Sequence, residues 1–179
     1  MPVFQRRPEA PQVTGDYTRF RAFVRDDFSE CCAYCLLHEI LAAGPENFEL
    51  DHFRPQALFP ALLNDFFNLR YACHTCNHKK GSCWPEPELE AGGYRFIDLC
   101  QADFSTHFQE TEDGHWLPLT KAAEYTADLL RLNRTHLVTL RFWLKLNLTE
   151  LGCPPINWDL PSKEQITKVF AHTERVSLS

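Results

Sequence analysis

The sequence predicts an α+β fold. Three observations carry that reading. Two Cys-x2-Cys pairs bracket a short stretch that alternates apolar and polar residues, Phe48-Glu49-Leu50-Asp51-His52-Phe53. Helical spacing of apolar residues precedes the first pair, at Phe20, Phe23, Val24 and Phe28. Helical patterns return in the C-terminal third, after an acidic segment. The expected architecture is a small mixed core stapled at its cysteines, flanked by an N-terminal helix and about three C-terminal helices.

Composition bounds the rest. The chain has 179 residues, about one domain. Apolar residues make up 44%, with 14 Phe and 4 Trp, enough for a real core and too many for a disordered chain. No apolar run is long enough for a membrane span. The first residues, Met1-Pro2-Val3-Phe4-Gln5-Arg6-Arg7-Pro8, lack the apolar stretch of a secretory signal, so a cytoplasmic protein is expected. The net charge is −6, which taken alone argues against a nucleic-acid partner. Residues 84–115, however, hold eight acids and one base, leaving the remainder at +1. A basic surface elsewhere stays open.

The elements follow in chain order within one domain, 1–179. Residues 1–30 read as a Pro-rich extended arm and an amphipathic helix near 17–29. Residues 31–83 read as the core. Leu36 to Leu41, a breaker at Ala43-Gly44-Pro45-Glu46-Asn47, and Phe48 to Phe53 suggest a hairpin with His52 near the end of its second strand. Pro55 and Pro60 mark a loop, and Ala61 to Phe67 allow one or two helical turns. Residues 74–81 read as a helix, stopped by Gly81 after Lys79 and Lys80. Residues 84–119 form the acidic connection, with strands expected at 94–98 and 115–119. Residues 120–179 read as helical, near 121–132, 135–147 and 163–175. Ser162 and Gln165 stand in capping-box spacing at the last start. Trp116, Trp143 and Trp158 are expected in the core.

Eight cysteines in such a chain need a reason. A disulfide scaffold is disfavoured, because the chain is large and shows no export signal. Cys32-x2-Cys35 and Cys73-x2-Cys76 lie 37 residues apart and together form the pattern of a structural four-cysteine Zn²⁺ site. Cys31 is an alternative to Cys32. Cys83, Cys100 and Cys153 read as core thiols.

The residues between and after these pairs carry oxygen and nitrogen donors. They run Leu50-Asp51-His52-Phe53-Arg54-Pro55, then Phe67-Asn68-Leu69-Arg70-Tyr71-Ala72-Cys73-His74-Thr75-Cys76-Asn77-His78-Lys79-Lys80-Gly81. This combination resembles the HNH endonuclease family, the ββα-metal nucleases. Members typically show D-H-x-x-P, then N-L, then C-x-x-C-N-x-x-K-G, and each position is matched here over residues 32–81. The resemblance implies a ββα-metal core, a metal-dependent endonuclease and DNA as substrate, cleaved to leave a 5′-phosphate and a 3′-hydroxyl. It also implies that Asn68 bonds backbone and fixes the loop ahead of the helix. Short HNH proteins of this kind resemble effector subunits of bacterial defence or restriction systems, which points to a protein partner that recruits or activates the chain.

The chemistry agrees with the residue types. Mg²⁺ or Mn²⁺ takes oxygen ligands and keeps most of its waters. Asp51 can offer a carboxylate oxygen and Asn77 an amide oxygen. The ordinary imidazole pKa lies near neutrality, so His52 suits a general base. Adjacent strand residues point to opposite faces, so the strand must end or twist at Asp51-His52 for both to face one ion. Zinc would fix the start of the helix carrying Asn77. Arg54, Arg70, His78, Lys79 and Lys80 are candidate nucleic-acid contacts. His78 is also a substitute metal ligand, and Asn77 alone reads equally as a helix cap. The competing reading is a non-catalytic zinc-stabilised nucleic-acid-binding or adaptor module. A zinc deaminase fails on the pattern it needs, since His52 is followed by Phe53-Arg54 rather than x-Glu and Ala72, not Pro, precedes Cys73.

Overall fold

The computed structural model describes residues 3–151 and 162–177. Two five-residue strands lie at its centre, β1 (Phe48–His52) and β2 (Leu69–Cys73). They pair antiparallel, with Phe48 opposite Cys73, Asp51 opposite Arg70 and His52 opposite Leu69. Helix α2 (His74–Lys80) follows β2 without a loop. Gly81, at φ +50°, ends it and donates its N–H to the Asn77 carbonyl.

The hairpin expected between residues 36 and 53 does not form. Leu36 adopts φ +60°, and the chain then enters a 3₁₀ turn, Glu39–Ala42, capped by the His38 ring. His38 instead pairs with Cys31 in an isolated bridge. The true partner of β1 lies across residues 53–68, which hold two further 3₁₀ turns, Pro60–Leu62 and Phe66–Asn68. Every residue of β2 is buried, on both faces. Its Arg70 is tolerated there because Asp98 takes it at 2.7 and 3.2 Å, and the Phe67 carbonyl accepts a third bond.

The N-terminal arm is tied down. Arg6 donates to the carbonyls of Leu69 and Phe66 at 2.6 and 2.8 Å, pairs with Asp27, and stacks over Phe66. A 3₁₀ turn, Tyr17–Phe20, runs into α1 (Arg21–Asp27), which buries Val24 and leads to buried Phe28.

The acidic connection holds two short helices, α3 (Pro87–Ala91) and α4 (Phe104–His107). Its strands are β3 (Phe108–Glu110) and β4 (Trp116–Pro118), an antiparallel pair. Residues 94–98 are not a strand. Ile97 donates its N–H to the Thr126 hydroxyl, so a side chain occupies a group that a ladder would need. Cys83 is exposed and Cys100 half-buried, not core thiols. Trp116 is buried, Trp143 is half-buried and packs at a tilt against Phe170, and Trp158 and Cys153 lie outside the described residues.

Three helices follow: α5 (Lys121–Leu130), α6 (Thr135–Glu150) and α7 (Lys163–Ser177). Buried Ala122, Ala123, Thr126 and Ala127 give α5 a low-relief face, and α5 packs against α2. At α7 the capping box forms: Ser162 Oγ accepts from the Gln165 N–H, and Gln165 Oε1 accepts from the Ser162 N–H.

Candidate functional site

The two cysteine pairs converge. Cys32 and Cys35 lie in the turns before Leu37, Cys73 ends β2, and Cys76 is in the first turn of α2. Their four sulfurs all lie within 4.8 Å of one another and are buried. Cys35 Sγ and Cys73 Sγ are 3.8 Å apart. Tetrahedral zinc with sulfur bonds of its usual length needs an S···S separation of about 3.8 Å, so the set fits Zn²⁺. Cys31, though buried, is not in the cluster.

Beside the cluster, α2 lies along one face of β1. Residues 77 and 80 are separated by about 4.5 Å of helix rise. Residues 49 and 51, which share a strand face, are separated by about 6.6 Å. The two rows therefore meet in register. Asn77 donates to Glu49, and Lys80 donates to Asp51 at 3.0 Å. His74 also reaches Glu49, at 3.1 Å. The Glu49 end is open to solvent, with His74 69% exposed in its side chain. The Asp51 end is closed.

A strand pair, a helix joined directly to it, and four converging cysteines make one unit, and its bounds agree with the family comparison. Residues 32–82 match the family model described as HNH endonuclease. This segment is an HNH domain. A search of curated proteins finds no match to the chain.

Within the HNH domain, the expected trio of Asp51, His52 and Asn77 is distributed over two faces of β1. Asp51 is buried, and its two oxygens accept from Lys80 and from the Tyr34 hydroxyl. Burial pushes its pKa up, and the Lys80 ammonium acts against that shift. Asn77 donates to Glu49 and not to Asp51. The Asn77 amide holds the Glu49 carboxyl below its usual range. His52 ends β1 and points the other way. Its Nε2 lies 2.9 Å from the Leu63 carbonyl, and the Tyr17 ring packs edge-on at 4.7 Å. A carbonyl only accepts, so Nε2 carries the proton and Nδ1 keeps the lone pair. Asn68 straps the next turn, accepting from the Arg54 N–H at 2.9 Å and donating to the Arg54 carbonyl at 3.0 Å.

The candidate nucleic-acid contacts divide by burial. Arg54 and His78 are exposed and Lys79 is half-buried. The Arg54 guanidinium stacks over Phe59 and Trp84. Lys80 is fully buried against Asp51 and the His52 carbonyl, and Arg70 is buried against Asp98. Both are members of internal ion pairs. The pattern K-G after a helix carries no mark of which lysine turns inward. Three residues escaped sequence reading. Glu49 has a weak signal, its i−2 spacing from Asp51 on one strand face. Tyr34 and Arg134 have none. Arg134 donates to two of the cluster sulfurs from the turn between α5 and α6.

Proposed function

We propose that the chain is a metal-dependent endonuclease that hydrolyses phosphodiester bonds of DNA. The observation that carries this reading is the open end of the β1–α2 groove, where the amide of Asn77, on the cysteine-anchored helix, meets the carboxylate of Glu49 on β1. Those are oxygen donors of the kind that Mg²⁺ or Mn²⁺ accepts. A divalent ion bound there would stabilise negative charge developing on the scissile phosphate. Asp51 follows Glu49 on the same face and joins the donor set only by releasing Lys80. His52 is the general base. The Leu63 carbonyl holds its Nε2–H, so Nδ1 takes the proton of the attacking water. The water oxygen bonds to phosphorus as the bond to the 3′-oxygen breaks, leaving a 5′-phosphate and, after protonation, a 3′-hydroxyl. Asn68 fixes the backbone that follows the base. Arg54, His78 and Lys79 line the approach of the phosphate backbone.

A second reading has a specific observation behind it. His52 is only 7% exposed and Asp51 is locked in an ion pair, as in a zinc-stabilised module without chemistry. The net charge of −6 also supports a partner protein that delivers the DNA, as in the bacterial defence effectors the motif resembles.

Plasmid and single-stranded oligonucleotide cleavage with Mg²⁺, Mn²⁺ or EDTA, beside His52→Ala, decides between them. The nuclease reading expects metal-dependent cutting that His52→Ala abolishes while zinc content is retained. Full activity in that variant removes His52 as the base. DNA retention without cutting under any condition favours the binding module.

A further inference from the structure

A zinc ion held by four thiolates leaves a net charge of −2 in a pocket closed to water. All four cysteines here are at most 5% exposed. Buried charge of that size needs a counter-charge or donors aimed at it. Among the described residues, the cation hydrogen-bonded to these sulfurs is Arg134. Its Nη1 and Nη2 lie 3.8 and 3.7 Å from Cys76 Sγ, and Nη2 lies 4.0 Å from Cys35 Sγ. One guanidinium thus touches a sulfur from each Cys-x2-Cys pair. The same group donates to the carbonyls of Leu130 and Arg131, at the end of α5. Arg134 also stands at the N-cap of α6, where its side chain makes no capping bond and is free to turn toward the sulfurs.

We propose that Arg134 is the counter-charge of the zinc tetrathiolate, retaining the metal and docking the α5–α6 turn onto it. The fork geometry matters. A lysine brings one point charge, whereas the planar guanidinium spans sulfurs of both pairs while still holding two carbonyls. Partners that hydrogen-bond to metal ligands change metal retention strongly when removed. The assignment rests on the cysteine cluster and is independent of whether the chain cuts DNA.

The test uses the zinc-loaded full chain and three variants: Arg134→Gln, Arg134→Lys and, as a control for charge alone, Arg131→Gln at the exposed neighbour. Zinc release to 4-(2-pyridylazo)resorcinol is followed in time. The expectation for Arg134→Gln is release faster by about 10-fold or more, as for other partners of metal ligands. Arg134→Lys should fall between it and the wild type, and Arg131→Gln should match the wild type. The Co²⁺-loaded proteins give a second readout. Weakening of the N–H···S bonds should move the sulfur-to-cobalt charge-transfer band to lower energy in Arg134→Gln, by a smaller step in Arg134→Lys, and leave it in place in Arg131→Gln. Where Arg134→Gln does not fold, Arg134→Lys carries the band measurement. Equal release from Arg134→Gln and Arg131→Gln, or a band unmoved in the folded Arg134 variants, overturns the proposal. Purified wild-type protein that takes up no zinc overturns it together with the reading of the cluster, and leaves the cleavage assay to judge the nuclease reading separately.

Discussion

Asp51 and Lys80 each depend on the other. Burial raises the pKa of the first and lowers that of the second, and each opposes the shift of its partner. Removing one leaves a buried uncompensated charge, which typically costs about 3–5 kcal/mol, whereas replacing both with apolar groups is often close to neutral. Lys80→Met should therefore lower urea stability by about that amount, and adding Asp51→Leu should restore most of it. Additive losses would show that the pair is not coupled. His38 supplies a pH dependence. Its Nδ1 accepts the Ile40 N–H, and burial lowers its pKa below 6.5, against the pull of Glu30 and Glu39 and alongside the repulsion of Lys163 and Arg25. The unfolded chain then binds the proton first, so stability is complete above about pH 6.5 and declines as pH falls below it. His38→Asn should flatten the thermal midpoint between pH 7 and pH 5.5; an unchanged slope would assign it to other groups. At this scale the cysteine spacing was legible, because four ligands repeat a pattern that zinc imposes. Glu49 and Arg134 were not, since their partners are set by how a helix lies on a strand and how a distant turn folds back.

Among elements, α2 and α7 were readable because their ends are written locally, in Gly81 and in the Ser162–Gln165 box. The partner of β1 was not. Leu36 to Leu41 has strand-like content, but Leu36 takes a left-handed conformation and His38 caps a 3₁₀ turn, which diverts it. The β3–β4 turn shows how closely elements meet. Gly114 has φ +87°, and a Cβ there would stand 2.6 Å from the Val138 carbonyl of α6. Gly114→Ala combines backbone strain with that clash, and should lower the urea midpoint by an amount equivalent to roughly 1–3 kcal/mol or more. A wild-type midpoint would mean that the turn lifts off α6 without cost.

For the whole molecule, the acidic stretch changes meaning. Composition presented residues 84–115 as a negative surface, yet Asp98 neutralises buried Arg70, Asp103 caps α4 and Glu110 accepts from Trp116. Part of the −6 is therefore spent on internal structure rather than on repelling a polyanion. The cysteine cluster joins the β1–β2–α2 core to the segment before it, so its metal should govern stability globally. Cys73→Ser, or chelation of the wild type, should lower the thermal midpoint and release zinc together. A zinc-free variant with an unshifted midpoint would contradict this. The bonds from Arg134 to Cys76 also set an order in time. They span 58 residues of chain. At ordinary elongation rates a ribosome needs about 3–12 s to add that length. During that interval all four sulfurs have been made while Arg134 has not, so under the role proposed for Arg134 a nascent chain would pass through a window in which zinc is held without its counter-charge. Cellular zinc supply would then act on this protein chiefly during its synthesis.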